Sequence, residues 1–193
     1  MAESEVSTKQ RIVESANALF YRDGVRATGV DAIAERAGIT KRSLYYHFRS
    51  KDDLIEAYLQ SRDAPNLAAF QRWFGPDDAT LDSRVAALFD GLLRASKRPE
   101  WRGCGFLRTA GELANMPGHP AIRAASIHKK NVEAWLSQVL GEAGLLRPDA
   151  IARQVVLLID GAFSAMLVHH DTAYIDAASD AARALCAAAE RRS

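Results

Sequence analysis

The stretch from Val30 to Phe48, VDAIAERAGITKRSLYYHF, constrains the fold more than any other part of the chain. It holds two helix-length segments on either side of Gly38, each too short to be stable alone in water. Such segments must brace one another. Ala34 is small enough to let them approach, Gly38 permits a positive φ at the turn, and Ile33, Ile39 and Leu44 supply the apolar contacts. That is the physical specification of a helix-turn-helix, in which the second helix fits the major groove of DNA.

The second segment presents Thr40, Lys41, Arg42, Ser43, Tyr45, Tyr46 and His47, while Leu44 and Phe48 point inward. Lys and Arg pair with guanine edges or phosphates, and Ser, Thr and Tyr hydroxyls reach phosphate oxygens. Whole-chain charge is silent on this point, since the formal net charge is only +1. Locally, Thr40 to Lys51 carries Lys41, Arg42, Arg49 and Lys51 with no acid. Charge at that density acts at contact distance, because salt screens beyond roughly 8 Å. The competing reading of the same residues is a helical hairpin with a solvated basic face.

The remaining punctuation describes a string of helices. Ser7 with Gln10, Thr28 with Asp31, and Ser50 with Asp53 read as helix starts, and Gly24 and Gly38 as stops. The spacing predicts a first helix with Ile12, Ala16, Leu19 and Phe20 on one face, then a fourth from Ser50 to about Phe74, kinked or divided at Pro65. Beyond Gly75-Pro76, further helices carry Leu81, Val85, Leu88, Phe89 and Leu92, then Phe106–Asn115, then a long one to about Ala143. Pro148 opens the next, which includes the apolar run from Val155 to Val168, and the last spans about Ile175 to Arg191. With 35 alanines and no alternating pattern of useful length, the expectation is an all-α chain of about nine helices.

Residues 10–58, and above all TGVDAIAERAG, ITKRSLYYHF and SKDDL, resemble the DNA-binding domain of the TetR family of bacterial transcriptional regulators in order and spacing. The resemblance implies a helix-turn-helix domain over 1–50 and a helical effector-binding and dimerisation domain over 51–193. It implies phosphate contacts by Thr28, Lys51, Tyr46 and His47, with Lys41, Arg42, Ser43 and Tyr45 reading or approaching bases. The expected partners are a double-stranded operator, a small and largely apolar effector, and a second copy bound through the last two helices. In the helices from Pro148 to Arg191, Ala178, Ala181, Ala182 and Leu185 with Leu167 and Val168 are the residues expected across a two-fold axis.

For the effector, the large apolar groups Trp73, Phe89, Phe106, Trp135, Phe163 and Met166 are candidates, with Asp160, Ser164 and His169 as polar groups on one helix. No cofactor or metal is expected: in His169-His170-Asp171 adjacent side chains point about 100° apart. Enzyme motifs such as GxSxG, HExxH or a phosphate-cradling loop are absent. No stretch reaches 18 apolar residues and the N-terminus lacks a signal-peptide core, so a cytoplasmic protein without a membrane span is expected. A redox-responsive thiol is the alternative at Cys104, which sits between two glycines; Arg102 and Arg108 are its only basic neighbours in sequence, which favours an inert thiol.

Overall fold

The computed structural model describes residues 7–191, and among these it contains nine helices and no strand. They are α1 (Thr8–Asp23), α2 (Val30–Arg36), α3 (Lys41–His47), α4 (Lys51–Phe74), α5 (Leu81–Ser96), α6 (Gly105–Glu112), α7 (Pro120–Glu142), α8 (Pro148–His169) and α9 (Ala173–Ala188). Packing groups them into two units, one comprising the chain to Ala64 with Gly105–Ser126, the other Pro65–Cys104 with Ile127–Ser193. This division differs from a boundary at residue 50. The first half of α4, α6 and the first turns of α7 belong with the N-terminal helices.

In the first unit, Ile12, Ala16, Leu19 and Phe20 are buried along α1. Ser7 caps that helix, its hydroxyl accepting from Gln10 N at 3.2 Å. Gly24 ends it, although at φ 92° and ψ 157° rather than in the left-handed helical region. Its extended backbone lets the chain turn outward before α2. The start of α2 also departs from expectation: Gly29 is the cap and makes no side-chain bond. Thr28 lies buried instead and donates its hydroxyl to the Gly24 carbonyl at 2.7 Å.

Helix α4 runs through Pro65 without a break. The carbonyl of Ser61, four residues back, loses its amide partner there. Both residues are exposed, so water can replace the missing bond and the helix persists. Ser50 caps its start, accepting from Asp53 N at 3.0 Å.

The second unit has the larger core, with Leu88, Phe89, Leu136, Val155, Ile159 and Ala182 among its most buried members. Burying each such aliphatic or aromatic side chain contributes about 1.5–3 kcal/mol. Helix α8 is 22 residues long and holds an 18-residue stretch with a mean hydropathy of 1.7, enough by length and composition to cross a membrane. It carries ion-paired Arg153 and Asp160, and its Ile151, Ala152, Val155 and Ile159 are buried in the unit's own core, as befits a core helix. Ala178 and Ala182 of α9 are likewise buried within the chain, so they are unavailable to a partner. On α8 and α9 the large apolar groups left exposed are Leu157 at 65%, Val168 at 72% and Tyr174.

Candidate functional site

Helices α2 and α3 meet as the sequence requires. Gly38 takes φ 67°, and Ile33, Ala34 and Leu44 are buried between the helices and α1. Thr40 caps α3, its hydroxyl accepting from Ser43 N at 3.1 Å, and Phe48 closes the far end as a second buried anchor. Two buried anchors fix the rotation of α3 about its axis. The side left to solvent bears Thr40, Lys41, Arg42, Tyr45 and Tyr46, with Ser43 and His47 half-buried beside them.

Tyr46 is 86% exposed, an unusual position for a large ring. It leans edge-on against His47 at 5.2 Å, which holds both rings at the end of α3. Lys41 reaches back over the turn to Asp31, with Nζ 3.0 Å from Oδ2. Both partners are well exposed, so this ion pair is weak and exchangeable for a phosphate or base. Arg49, just beyond α3, is almost fully exposed and makes only a 3.7 Å approach to Asp53.

Lys51 sits at the start of α4 with Nζ 3.5 Å from the Arg26 carbonyl. Burial pushes its ammonium below the ordinary lysine range, while Asp52 and Glu112 pull the other way. Thr28, expected at a phosphate, lies just before the Gly29 cap of α2. Its hydroxyl proton is committed to Gly24 and its side chain is buried, so a phosphate contact would have to displace an internal bond.

Sequence reasoning missed the residues that hold this surface from behind. Glu112 of α6 accepts from Arg26 N at 2.9 Å, and Asn115 accepts from the Arg26 guanidinium at 2.9 Å. A Cβ on Gly24 would lie 2.8 Å from Glu112 Oε1, so that turn is clasped closely. Buried His119 approaches Asp52 at 3.2 Å, and its Nδ1 accepts from Ala121 N, capping α7. These links span up to 89 positions of sequence, and no local pattern announces them.

The residues named for an effector are scattered. Phe89 and Met166 are core members, Trp73 packs on Gly91, and Trp135 meets Phe74 edge-on at 5.5 Å. Phe106 is buried in the first unit, not the second. Ser164 and His169 are exposed: Ser164 returns its hydroxyl to the Asp160 carbonyl, and His169 stacks on Tyr174 at 4.8 Å. Their helical phase carries them past the packed side of α8. Asp160 pairs with Lys129 at 2.5 Å, and Phe163, one turn on along α8, stacks on Trp101 at 6.1 Å. Two open grooves lie elsewhere, one of about 430 Å³ lined by residues including Arg84, Glu142 and Arg191, the other of about 420 Å³ by Arg11, Glu14 and Arg36.

Residues 12–58 match the family described as "Bacterial regulatory proteins, tetR family". The chain is 43% identical over 146 residues to the HTH-type transcriptional repressor KstR2 of Mycobacterium tuberculosis, covering 74% of this chain and 71% of that one. Against the regulator SrpR of Pseudomonas putida it is 34% identical over 94 residues, 47% of this chain and less than half, 42%, of that relative's length. The crystal structure of a TetR-type regulator from Streptomyces avermitilis superposes with a TM-score of 0.77 at 33% identity, covering 91% of this chain and 98% of that one. A TetR-family regulator from Streptomyces coelicolor gives 0.81 at 29% identity, covering 93% and 94%. With a braced helix-turn-helix and a larger helical unit, the chain belongs to the TetR family of bacterial regulatory proteins.

Proposed function

We propose that the protein is an operator-binding repressor that acts in the cytoplasm as a homodimer, places α3 in the major groove, and is released by a small effector. One observation carries this reading: the outer side of α3 gathers basic, hydroxyl and aromatic groups while Leu44 and Phe48 lock its rotation from beneath. Lys41 and Arg42 read or approach bases, and Tyr46, His47 and Lys51 grip phosphates. Repression follows the relative KstR2, whose name records a repressor. A two-fold dimer makes the operator an inverted repeat, with half-sites about 34–36 Å apart or at multiples of that.

Leu157 and Val168, exposed on α8 beside α9, are the apolar surface a second copy would cover. The effector region is the cluster of Trp101, Lys129, Asp160 and Phe163, whose mixture of flat apolar walls and few polar groups suits a small ligand. Release requires that the effector bind a DNA-incompetent state more tightly than the competent one. Because only Arg49 and Ser50 separate Phe48 from α4, displacing it displaces α3 as well.

Selecting genomic fragments with the purified chain tests the reading. The expected result is enrichment of one inverted-repeat sequence, with log affinity falling linearly as log salt rises. Enrichment of nothing at low ionic strength, from a folded chain, rejects it. Leu157→Asp should shift light-scattering mass from dimer to monomer; an unchanged dimer would place the interface elsewhere.

A further inference from the structure

Cys104 lies in the segment just before α6, between Gly103, whose φ is +77°, and Gly105. Its Sγ is 3.6 Å from Lys129 Nζ on α7, and the same nitrogen is 2.5 Å from Asp160 Oδ1 on α8. Three separate segments thus bring a thiol, an amine and a carboxylate together. The carboxylate takes one of the three ammonium protons and so orients another at sulfur. The group is sheltered but open to small molecules: the Lys129 and Asp160 side chains are 22% and 21% exposed, and Cys104 is half-buried.

The surroundings also fix the thiol and offer a ligand surface. Phe163, one helical turn from Asp160, stacks on Trp101 with ring planes 29° apart. Leu167 follows one turn later, and a Cβ on Gly103 would come within 2.7 Å of its Cδ1. The backbone before Cys104 is therefore pressed against α8, which sets the position of its sulfur. The other thiol makes a contrast within the same unit. Cys186 is buried in the core, and desolvation pushes it up to about 11.

We propose that Cys104 is a covalent capture site for small planar electrophiles of the α,β-unsaturated carbonyl class. The sulfur lone pair attacks the β-carbon and an S–C bond forms. The C=C π pair moves onto the carbonyl oxygen as an enolate. The thiol gives its proton to water as it attacks, a proton from the Lys129 ammonium completes the α-carbon, and the proton released to water restores Lys129. The thiol has added across the double bond, nothing is oxidised or reduced, and no group leaves. Lys129 balances negative charge first at sulfur and then at the enolate oxygen, as a cation beside a reactive thiol does. Trp101 and Phe163 provide the flat apolar surface that a conjugated ligand stacks on. That the adduct weakens operator binding rests on the effector reading above, whereas the capture chemistry does not.

The test treats the full chain with methyl vinyl ketone and follows adducts by intact mass and peptide mapping, with glutathione as the reference thiol. Cys104 should be modified about tenfold faster than glutathione at neutral pH, with Cys186 untouched while the chain is folded. Lys129→Gln should slow Cys104 by about tenfold and Lys129→Arg should recover most of the rate, since the cation is retained. A Cys104 rate no greater than that of glutathione overturns the proposal, as does an unchanged rate in the Gln variant. If that variant does not fold, the comparison with glutathione decides. On the selected operator fragment, the adduct should lower affinity about tenfold in the unsubstituted chain and have no such effect in Cys104→Ser. An adduct that leaves affinity unchanged overturns the link to DNA release, while a chain that binds no DNA at all breaks the reading of α3 and leaves capture standing.

Discussion

Glycine serves opposite ends in the two units. Gly38, at the α2–α3 turn, takes φ 67° and has nothing within 4 Å of where a Cβ would stand. Gly91, inside α5, has no positive φ, but a Cβ there would fall 2.2 Å from Trp73 Cγ. The first glycine answers a backbone requirement, the second a packing requirement. A backbone requirement is local and shows itself in the order of neighbouring residues. A packing requirement depends on a side chain eighteen positions away, on another helix.

Leu44→Ala should have the largest effect. Its side chain is fully buried between short helices that cannot stand alone, so its loss costs about 2–5 kcal/mol and DNA binding falls with it. Leu88→Ala, equally buried in α5, should cost a similar amount in denaturant melts yet spare operator affinity at temperatures where the chain stays folded. If Leu88→Ala weakens DNA binding in the folded chain, the contrast between the units fails.

Replacing Lys41 and Arg42 together by Ala should reduce operator affinity about a hundredfold, at about 1–3 kcal/mol per contact, with a shallower salt slope. Both side chains are exposed, so the melting midpoint should hold. A changed midpoint with unchanged affinity would mean that the strip is structural.

Gly91→Ala and Gly38→Ala sharpen the comparison directly. The added methyl at 91 meets the Trp73 ring and its Cβ, neither a free chain end, and should cost about 1–3 kcal/mol. At 38 the same methyl meets nothing but must accept a left-handed backbone, costing about 1–2 kcal/mol. Gly38→Asn should recover much of that loss because Asn tolerates the conformation, whereas Gly91→Asn should be worse than Ala. Equal behaviour of the two Asn variants in thermal melts would break the distinction.

The smallest effect belongs to Arg183. Its guanidinium makes two 2.8 Å bonds to Asp82 and holds that carboxyl below the ordinary range. A lowered carboxyl contributes stability that is complete above its ordinary pKa and is lost as pH falls through the lowered value. Arg183→Ala should therefore flatten the acid limb of the stability profile while leaving the neutral midpoint almost unmoved, since both side chains are solvent-exposed. A large loss at neutral pH would show that the pair is more than a screened surface contact.

The helix-turn-helix was legible in the sequence because its turn and its two inward anchors lie within nineteen residues, Val30 to Phe48. Short-range rules fixed its turn at Gly38 and its anchors at Leu44 and Phe48. The same rules placed nearly every other helix, since periodicity and caps are also local. They erred at Thr28, whose polarity suggested a cap but whose hydroxyl turned inward to Gly24. At Pro65 exposure let the helix continue instead of dividing.

What only the tertiary structure decided is which distant groups share a place. Glu112 clasps Arg26 across 86 positions, and Lys129 reaches Cys104 across 25, where the neighbouring arginines at 102 and 108 had been the only cations in view. The physical reason is range. A cap, a turn or an amphipathic face is the free energy of residues within a turn or two of one another, written in their order. The pairing of a thiol with an amine from another helix depends on how whole helices pack, which the shapes of many side chains determine together.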